Sequence, residues 1–388
     1  DMKSKNIALL GSTGSIGRNS LDVIDANRDR FRLVAIAAGE NIKLLQEQIK
    51  FFNPDRISVK YKKDADRLKN LFPDKEFYYG DRGIEEIVSD NGIDTVISAI
   101  SGTSSLAATI ISIRNNQRIC LANKETLVAA GELINFELNR SRAELIPIDS
   151  EQSAIFQSIG ANKKEYLRRV ILTASGGPFF RRNKREFSQI SVKEALTHPT
   201  WSMGTKITLD SATLMNKALE IIETYYLFNL NKDQIDVVIH PQSIVHSMVE
   251  FIDSSLIAQL SWPDMRIPIL YSLSFPERMF FENKGLNLSD LKKLDFYPVD
   301  TDKFRSIELA YYVLDMKKNA GAVFNAANEV ATESFLKEEI SFNDIFDVVE
   351  TVLHDEKFYP IRSLDDVEET IRDTKNKTAN YIKRRKPK

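Results

Sequence analysis

Within the first part of the chain, apolar runs that end in small residues alternate with helical stretches, and this alternation restricts the fold more than any other feature. The run "NIALL" (residues 6–10) leads through "GSTGSIG" into "RNSLDVIDAN", whose apolar residues recur at helical spacing. The runs "FRLVAIAAG" and "GIDTVISAIS" also close on small residues, and "RICLAN" follows the helical stretch "SLAATIISIRNN". Strands alternating with helices over roughly 145 residues predict βαβ units and a parallel sheet. The character then changes. "EYLRRVILTAS" and "IDVVIHPQSIVHSMVEFIDSSLIAQLSW" read as strands, the second with a turn at Asp253-Ser254-Ser255. Between them "SATLMNKALEIIETYYLF" reads as one long helix capped by Asp210 or Ser211. A Pro-punctuated connection over about residues 263–302 leads to a C-terminal third of helices.

The first strand-to-helix turn carries Gly11, Gly14 and Gly17. Glycines there let backbone N–H groups approach a pyrophosphate at the positive end of a helix, so the turn predicts dinucleotide binding. Glu40, at the end of the second strand, complicates the choice of nicotinamide. An acid at that point commonly holds the ribose 2′-hydroxyl of NAD and repels the 2′-phosphate of NADP, unless Arg18 or another cation compensates. The residues leave NAD and NADP open.

Asp149 and Glu151 in "PIDSEQSA" follow the apolar run "ELIPI". In an extended segment residues i and i+2 face the same side, so the two carboxylates are expected to converge. Converging carboxylates call for a cation, and a hard divalent ion such as Mg²⁺ or Mn²⁺ prefers oxygen ligands. Asn216 and Glu220, four apart, share a helix face and make Glu220 the candidate third ligand. Ser175 with Gly176 and Gly177, and Ser211 with Asn216 and Lys217, suit a phosphate. Lys124, in "LANKE" at the end of the fourth strand run, sits at the sheet edge where ligands bind in open α/β folds. "HPTWSMG" places His198, Trp201 and Met203 in one loop, a composition suited to a lid over a substrate.

Composition excludes several classes. With 43% hydrophobic and 28% charged residues and net charge −2, the chain offers no electrostatic reason to bind nucleic acid or an anionic membrane. No apolar run approaches the roughly 20 residues of a membrane helix, and the strand pattern at Asn6 leaves no room for a signal peptide. A single cysteine, Cys120, rules out an internal disulfide framework and fits a reducing, cytoplasmic compartment.

Taken in order, "GSTGSIG", "LANKE", "PIDSEQSA", "TASGGPF", "HPTWSMG", "ITLDSATLMNKALE", "IHPQSIVHSMVEF", "PDMRIPI" and "NAANEVA" resemble the 1-deoxy-D-xylulose 5-phosphate reductoisomerase family from end to end. The resemblance implies an α/β protein. A Rossmann-like NADPH-binding domain would span 1–148, and a central α+β catalytic, metal-binding and dimerisation domain 149–275. A linker would follow at 276–302 and a C-terminal helical bundle at 303–388. It implies Asp149, Glu151 and Glu220 as ligands of Mg²⁺ or Mn²⁺. Ser150, Ser175, His198, Ser211, Asn216 and Lys217 would bind a sugar phosphate, and Lys124 would reach its reacting oxygens. Thr13, Gly14, Ser15, Ile16, Gly39, Glu40, Asn41, Asn123, Glu125 and Gly204 fall at NADPH-contacting positions. Trp201 and Met203 lie in the family's flap, and Met265 lines the same site. A homodimer is implied as well.

Two positions depart from the family pattern. Glu40 stands where many members carry a basic residue, and Gln152 where others carry His. The implied reaction is rearrangement and reduction of 1-deoxy-D-xylulose 5-phosphate to 2-C-methyl-D-erythritol 4-phosphate, in non-mevalonate isoprenoid precursor biosynthesis. The alternatives are a plain NAD(P)-dependent dehydrogenase of another phosphorylated hydroxy compound and a nucleotide-binding regulatory module without turnover. The carboxylate triad argues against the module.

Overall fold

A computed structural model describes residues 4–197 and 204–385. The chain divides into two compact units, one of residues 1–126, 134–153 and 264–283, the other of 127–133, 154–263 and 284–388.

The first unit is built on a seven-stranded sheet. Its strands and helices alternate as β1 (Lys5–Leu10), α1 (Ser15–Asp25), β2 (Phe31–Ala38), α2 (Ile42–Phe52), β3 (Arg56–Val59), α3 (Lys62–Leu71) and β4 (Glu76–Tyr79). The series continues with α4 (Gly80–Val88), β5 (Thr95–Ser98), α5 (Leu106–Arg114), β6 (Arg118–Leu121), α6 (Lys124–Leu138) and β7 (Glu144–Pro147). The strand order is β4-β3-β2-β1-β5-β6-β7, and every pairing is parallel. Strand order reverses beside β1, between β2 and β5, which makes that carboxyl edge the natural ligand crevice. Burial along β1 explains the apolar runs. Ile7 and Leu9 join one core cluster and Ala8 and Leu10 the other, so both faces of the sheet are covered.

Two strands, β3 and β4, escaped the sequence reading. Each is a four-residue run flanked by charged residues, and β4 sits at the sheet edge with both its ends exposed. A helix was also hidden in the Pro-punctuated stretch. Pro268 lies in the first turn of a helix at Arg266–Ser274, where its missing N–H costs nothing. Ile269, Leu270 and Leu273 of that helix enter the core of the first unit.

The chain passes through α7 (Ser150–Ile159) into the second unit, which holds β8 (Leu167–Ala174), α8 (Val192–Ala195), α9 (Thr205–Ala212), α10 (Met215–Phe228), β9 (Ile235–Ile239), β10 (Val245–Phe251) and β11 (Leu256–Leu260). Next come α11 (the Arg266–Ser274 helix of the first unit), α12 (Leu288–Leu291), α13 (Ser306–Met316), α14 (Ala320–Leu336), α15 (Phe342–His354) and α16 (Leu364–Arg385). The four strands order as β11-β10-β8-β9. β10 runs antiparallel to both neighbours, and β8 parallel to β9. In the helical part, α14 packs against α15 and α16 and is buried from Ala320 through Asn328. Phe179, Phe187, Phe335 and Phe346 surround Phe342 with ring centroids 5.3 to 6.0 Å apart.

His240, just past β9, ties down the segment that precedes α13. Its Nδ1 lies 2.8 Å from the Asp295 carbonyl oxygen, its Nε2 accepts from the Ile244 N–H, and its ring stacks on Phe296. Desolvation lowers its pKa below the usual histidine value, consistent with a neutral imidazole donating at Nδ1. Among the described residues, no helix is long and apolar enough to cross a membrane.

Candidate functional site

Each unit carries its own set of polar groups, and each set grows from local backbone constraints. In the first unit the glycine turn after β1 is set by close approach. Gly11 has φ +93°, and a Cβ there would stand 2.5 Å from the Ala99 carbonyl oxygen. A Cβ on Gly17 would stand 2.1 Å from the Gly11 carbonyl oxygen, so α1 crosses the turn only because residue 17 is glycine. Gly14 is the N-cap of α1 and no side chain caps the helix, so its first N–H groups are left without a side-chain cap. The Ser12 hydroxyl donates to Gln48 Oε1 at 2.7 Å, and Gln48 Nε2 returns a bond to the Ser12 carbonyl. This buried brace from α2 fixes the turn. Gln48 was not among the expected residues, because nothing in sequence links positions 12 and 48.

At the carboxyl ends of β6 and β7, parallel register pairs Leu121 with Pro147. Lys124 and Asp149 therefore emerge side by side, and their ammonium and carboxylate form an ion pair with both side chains largely covered. Asn123 donates through Nδ2 to the carbonyls of Ile100 and Gly102 and to Ser105 Oγ, at 2.5 to 3.0 Å. It thereby shapes the loop after β5. Glu125 is buried beside it, Thr13 and Ile16 are half-buried, and Ser15 is exposed. Met265 packs at the margin of this unit's core.

The expected extended form of "DSE" is corrected by the structure. The Asp149 carbonyl accepts from the Ser153 N–H, so Asp149 opens α7 and Glu151 lies in its first turn. Alternation does not bring the two carboxylates together. The Ser150 hydroxyl instead donates to Glu151 at 2.7 Å. Gln152 is fully buried within the same helix.

Glu40 projects from the turn after β2 and is occupied by groups from β3's end. Lys60 Nζ donates to its Oε1 at 2.7 Å and the Tyr61 hydroxyl at 3.1 Å. These hydrogen bonds hold Glu40 below the usual carboxylate range and raise Lys60. The cation paired with Glu40 is Lys60, from the end of β3. Asn41 caps α2 by accepting from the Leu44 N–H, and Gly39 is exposed.

In the second unit, Ser175-Gly176-Gly177 turns out of β8, and the Gly177 N–H donates to Ser175 Oγ. Gly177 has φ +62°, and a Cβ on it would stand 2.7 Å from the Ser211 carbonyl oxygen. The two segments expected to share a phosphate therefore meet backbone to backbone. The single long helix expected from 211 is also corrected. It is two helices, α9 and α10, broken at Leu214 with φ +55°. Ser211 stands near the end of α9, and Gly204 is its N-cap. Within α10, Asn216 Nδ2 donates to Glu220 Oε1 at 2.5 Å, as the four-residue spacing implied. Lys217 pairs with the same carboxylate, and both side chains are almost wholly buried. A buried carboxylate of this kind persists only with a cation and donors around it.

Asp149 and Glu151 belong to the first unit and Glu220 to the second. Among the described residues, neither unit alone gathers three carboxylate, imidazole or thiol ligands. His198, Trp201 and Met203 lie outside the described residues.

Three family models match the chain. One for 1-deoxy-D-xylulose 5-phosphate reductoisomerase matches residues 7–131, one for that enzyme's C-terminal domain matches 145–228, and a further DXP reductoisomerase C-terminal domain model matches 260–377. A 1-deoxy-D-xylulose 5-phosphate reductoisomerase of Chlorobium chlorochromatii is 47% identical over 92% of this chain and 94% of its own length. One of Halalkalibacterium halodurans is 44% identical over 98% and 100%. Among solved structures, the Zymomonas mobilis reductoisomerase in complex with NADPH superposes with a TM-score of 0.93 at 36% identity, covering 98% of this chain and 99% of its own. A DOX-P reductoisomerase in complex with NADPH, fosmidomycin and magnesium gives a TM-score of 0.93 at 37% identity, covering 98% of each chain.

Proposed function

The chain belongs to the 1-deoxy-D-xylulose 5-phosphate reductoisomerase family, and we propose that it carries out that family's reaction. It rearranges 1-deoxy-D-xylulose 5-phosphate and reduces it with NADPH to 2-C-methyl-D-erythritol 4-phosphate, in non-mevalonate isoprenoid precursor biosynthesis. The observation that carries this reading is the end-to-end match to the Halalkalibacterium halodurans relative, at 44% identity over the whole of that protein. A dehydrogenase without skeletal rearrangement has no comparable support.

The residues fit the groups this reaction needs. Asp149, Glu151 and Glu220 offer the hard oxygen donors that Mg²⁺ or Mn²⁺ takes. Asp149 and Glu220 each already face a lysine ammonium, so each sits where a cation is held. When bound, the divalent ion supplies Lewis-acid polarisation of the substrate's oxygens. Lys124 then places its ammonium at the reacting hydroxyl and carbonyl. Ser175, Ser211, Asn216 and Lys217 are assigned to the phosphate end and Ser150 and His198 to substrate binding, Trp201 and Met203 to the flap, and Met265 to the lining of the same site. NADPH supplies the hydride. The glycine turn with Thr13, Gly14, Ser15 and Ile16 seats its pyrophosphate, Gly39, Glu40 and Asn41 its adenosine ribose, and Asn123, Glu125 and Gly204 its remaining length. Residues 1–148 form the nicotinamide-binding domain. Residues 149–275 carry the catalytic and dimerisation surfaces of a cytoplasmic homodimer, with their last helix, Arg266–Ser274, packed into the first unit, and 276–302 lead on to the helices of 303–388.

The test is metal removal. Oxidation of NADPH in the presence of 1-deoxy-D-xylulose 5-phosphate should stop when the protein is stripped with a chelator, and return with Mg²⁺ or Mn²⁺. Full turnover in the stripped protein would contradict the reading.

A further inference from the structure

The Glu40 carboxylate sits where an acid in a doubly wound sheet ordinarily selects NAD, yet the chain is read here as an NADPH enzyme. The groups that surround it resolve that conflict. Register pairs Ala38 of β2 with Val59 of β3, so the residues leaving the two strands, Gly39-Glu40 and Lys60-Tyr61, run side by side. Lys60 and Tyr61 both donate to Glu40. The Tyr61 ring is flanked by two ammonium groups, with Lys60 Nζ 5.1 Å and Lys63 Nζ 5.4 Å from its centroid. A Cβ built on Gly39 would meet nothing within 4 Å, so the approach to this cluster is open.

We infer that Lys60, with Lys63 beside Tyr61, is the cationic seat of the NADPH 2′-phosphate, and that Glu40 holds Lys60 in place until the phosphate takes it over. This rests on the NADPH reading above and names the residues that select for it. A 2′-phosphate carries a charge of about −1.5 to −2 and three strong acceptor oxygens, so it outcompetes a single carboxylate for an exposed ammonium. Glu40 and Lys60 are both charged at neutral pH, since each hydrogen bond between them favours the ionised partner. The exchange therefore needs no proton transfer, only rotation of the exposed Glu40 side chain away from the incoming anion. The cation that many such sites place on the β2 turn is supplied in this chain from the neighbouring strand.

The experiment is a set of binding titrations, followed by quenching of protein fluorescence, with no sugar phosphate present. NADPH and NADH are compared, with adenosine 2′,5′-bisphosphate and AMP as nicotinamide-free probes. Lys60→Gln should weaken NADPH and the bisphosphate by about tenfold, leave NADH and AMP within about twofold, and leave the melting temperature unchanged. Lys60→Arg should restore most of the loss. Glu40→Gln should tighten NADPH by removing a repelling charge. An unaltered parent that prefers NADPH, beside a Lys60→Gln variant that loses both nicotinamides equally or neither, would overturn the assignment and leave the NADPH reading intact. A parent that prefers NADH would overturn both.

Discussion

Glu151→Gln should lower turnover by several orders of magnitude and leave the folded chain nearly as stable as before. The amide keeps the shape and its place in the first turn of α7, where the Ser150 hydroxyl still finds an acceptor. It loses the negative charge that a hard divalent cation requires of an oxygen ligand. On the stability side, the favourable interaction of an acid with a helix N-terminus disappears, worth about 0.3–1 kcal/mol. The expected signature is a large fall in kcat at saturating Mg²⁺ with a melting temperature shifted by a few degrees at most. Near-normal turnover of the Gln variant would remove Glu151 from the metal ligands.

Lys217→Met should act in the opposite sense and damage the fold itself. Lys217 and Glu220 are both almost wholly buried in α10, and the ammonium neutralises a carboxylate that has no solvent to stabilise it. Removing one member of such a pair leaves an uncompensated buried charge, at a cost of about 3–5 kcal/mol. For a chain of this size that lowers the melting temperature by about 4–6 °C. The paired variant Lys217→Met with Glu220→Leu removes both charges and should regain most of the stability, because replacing a whole buried ion pair by apolar groups is close to neutral. It should remain inactive, since it lacks both the proposed metal ligand and the proposed phosphate-binding cation. Additive losses in the double variant would show that the two side chains do not stabilise each other.

What the sequence disclosed follows from the range over which its signals act. β1, β2, β5 and β6 were legible because strands covered on both faces must be apolar throughout. β3 and β4 were not, since their few apolar residues sit among charged ones in "PDRISVKYKKD" and "PDKEFYYGDR". The break between α9 and α10 was invisible for a related reason. Its left-handed residue is Leu214, where a glycine or asparagine would have marked it. The same division holds at the site. The pairing of Asn216 with Glu220 was readable from a spacing of four on one helix. The partners of Glu40, Ser12 and Asp149 were not, because Lys60, Gln48 and Lys124 reach them across strand register and sheet order. The carboxylates of "DSE" were found as a pair for a geometric reason that does not hold, since Asp149 and Glu151 open a helix. Their candidacy now rests on donor chemistry and on the family match.

A reductoisomerase must both move a carbon–carbon bond and reduce the result. The direct measurement is the carbon skeleton of the product, read by ¹³C NMR after incubating the protein with labelled 1-deoxy-D-xylulose 5-phosphate, Mg²⁺ and NADPH. The expected product is the branched 2-C-methyl-D-erythritol 4-phosphate, formed in step with NADPH oxidation. A reduced product that keeps the straight chain of the substrate, or NADPH oxidation with no branched carbon, would contradict it.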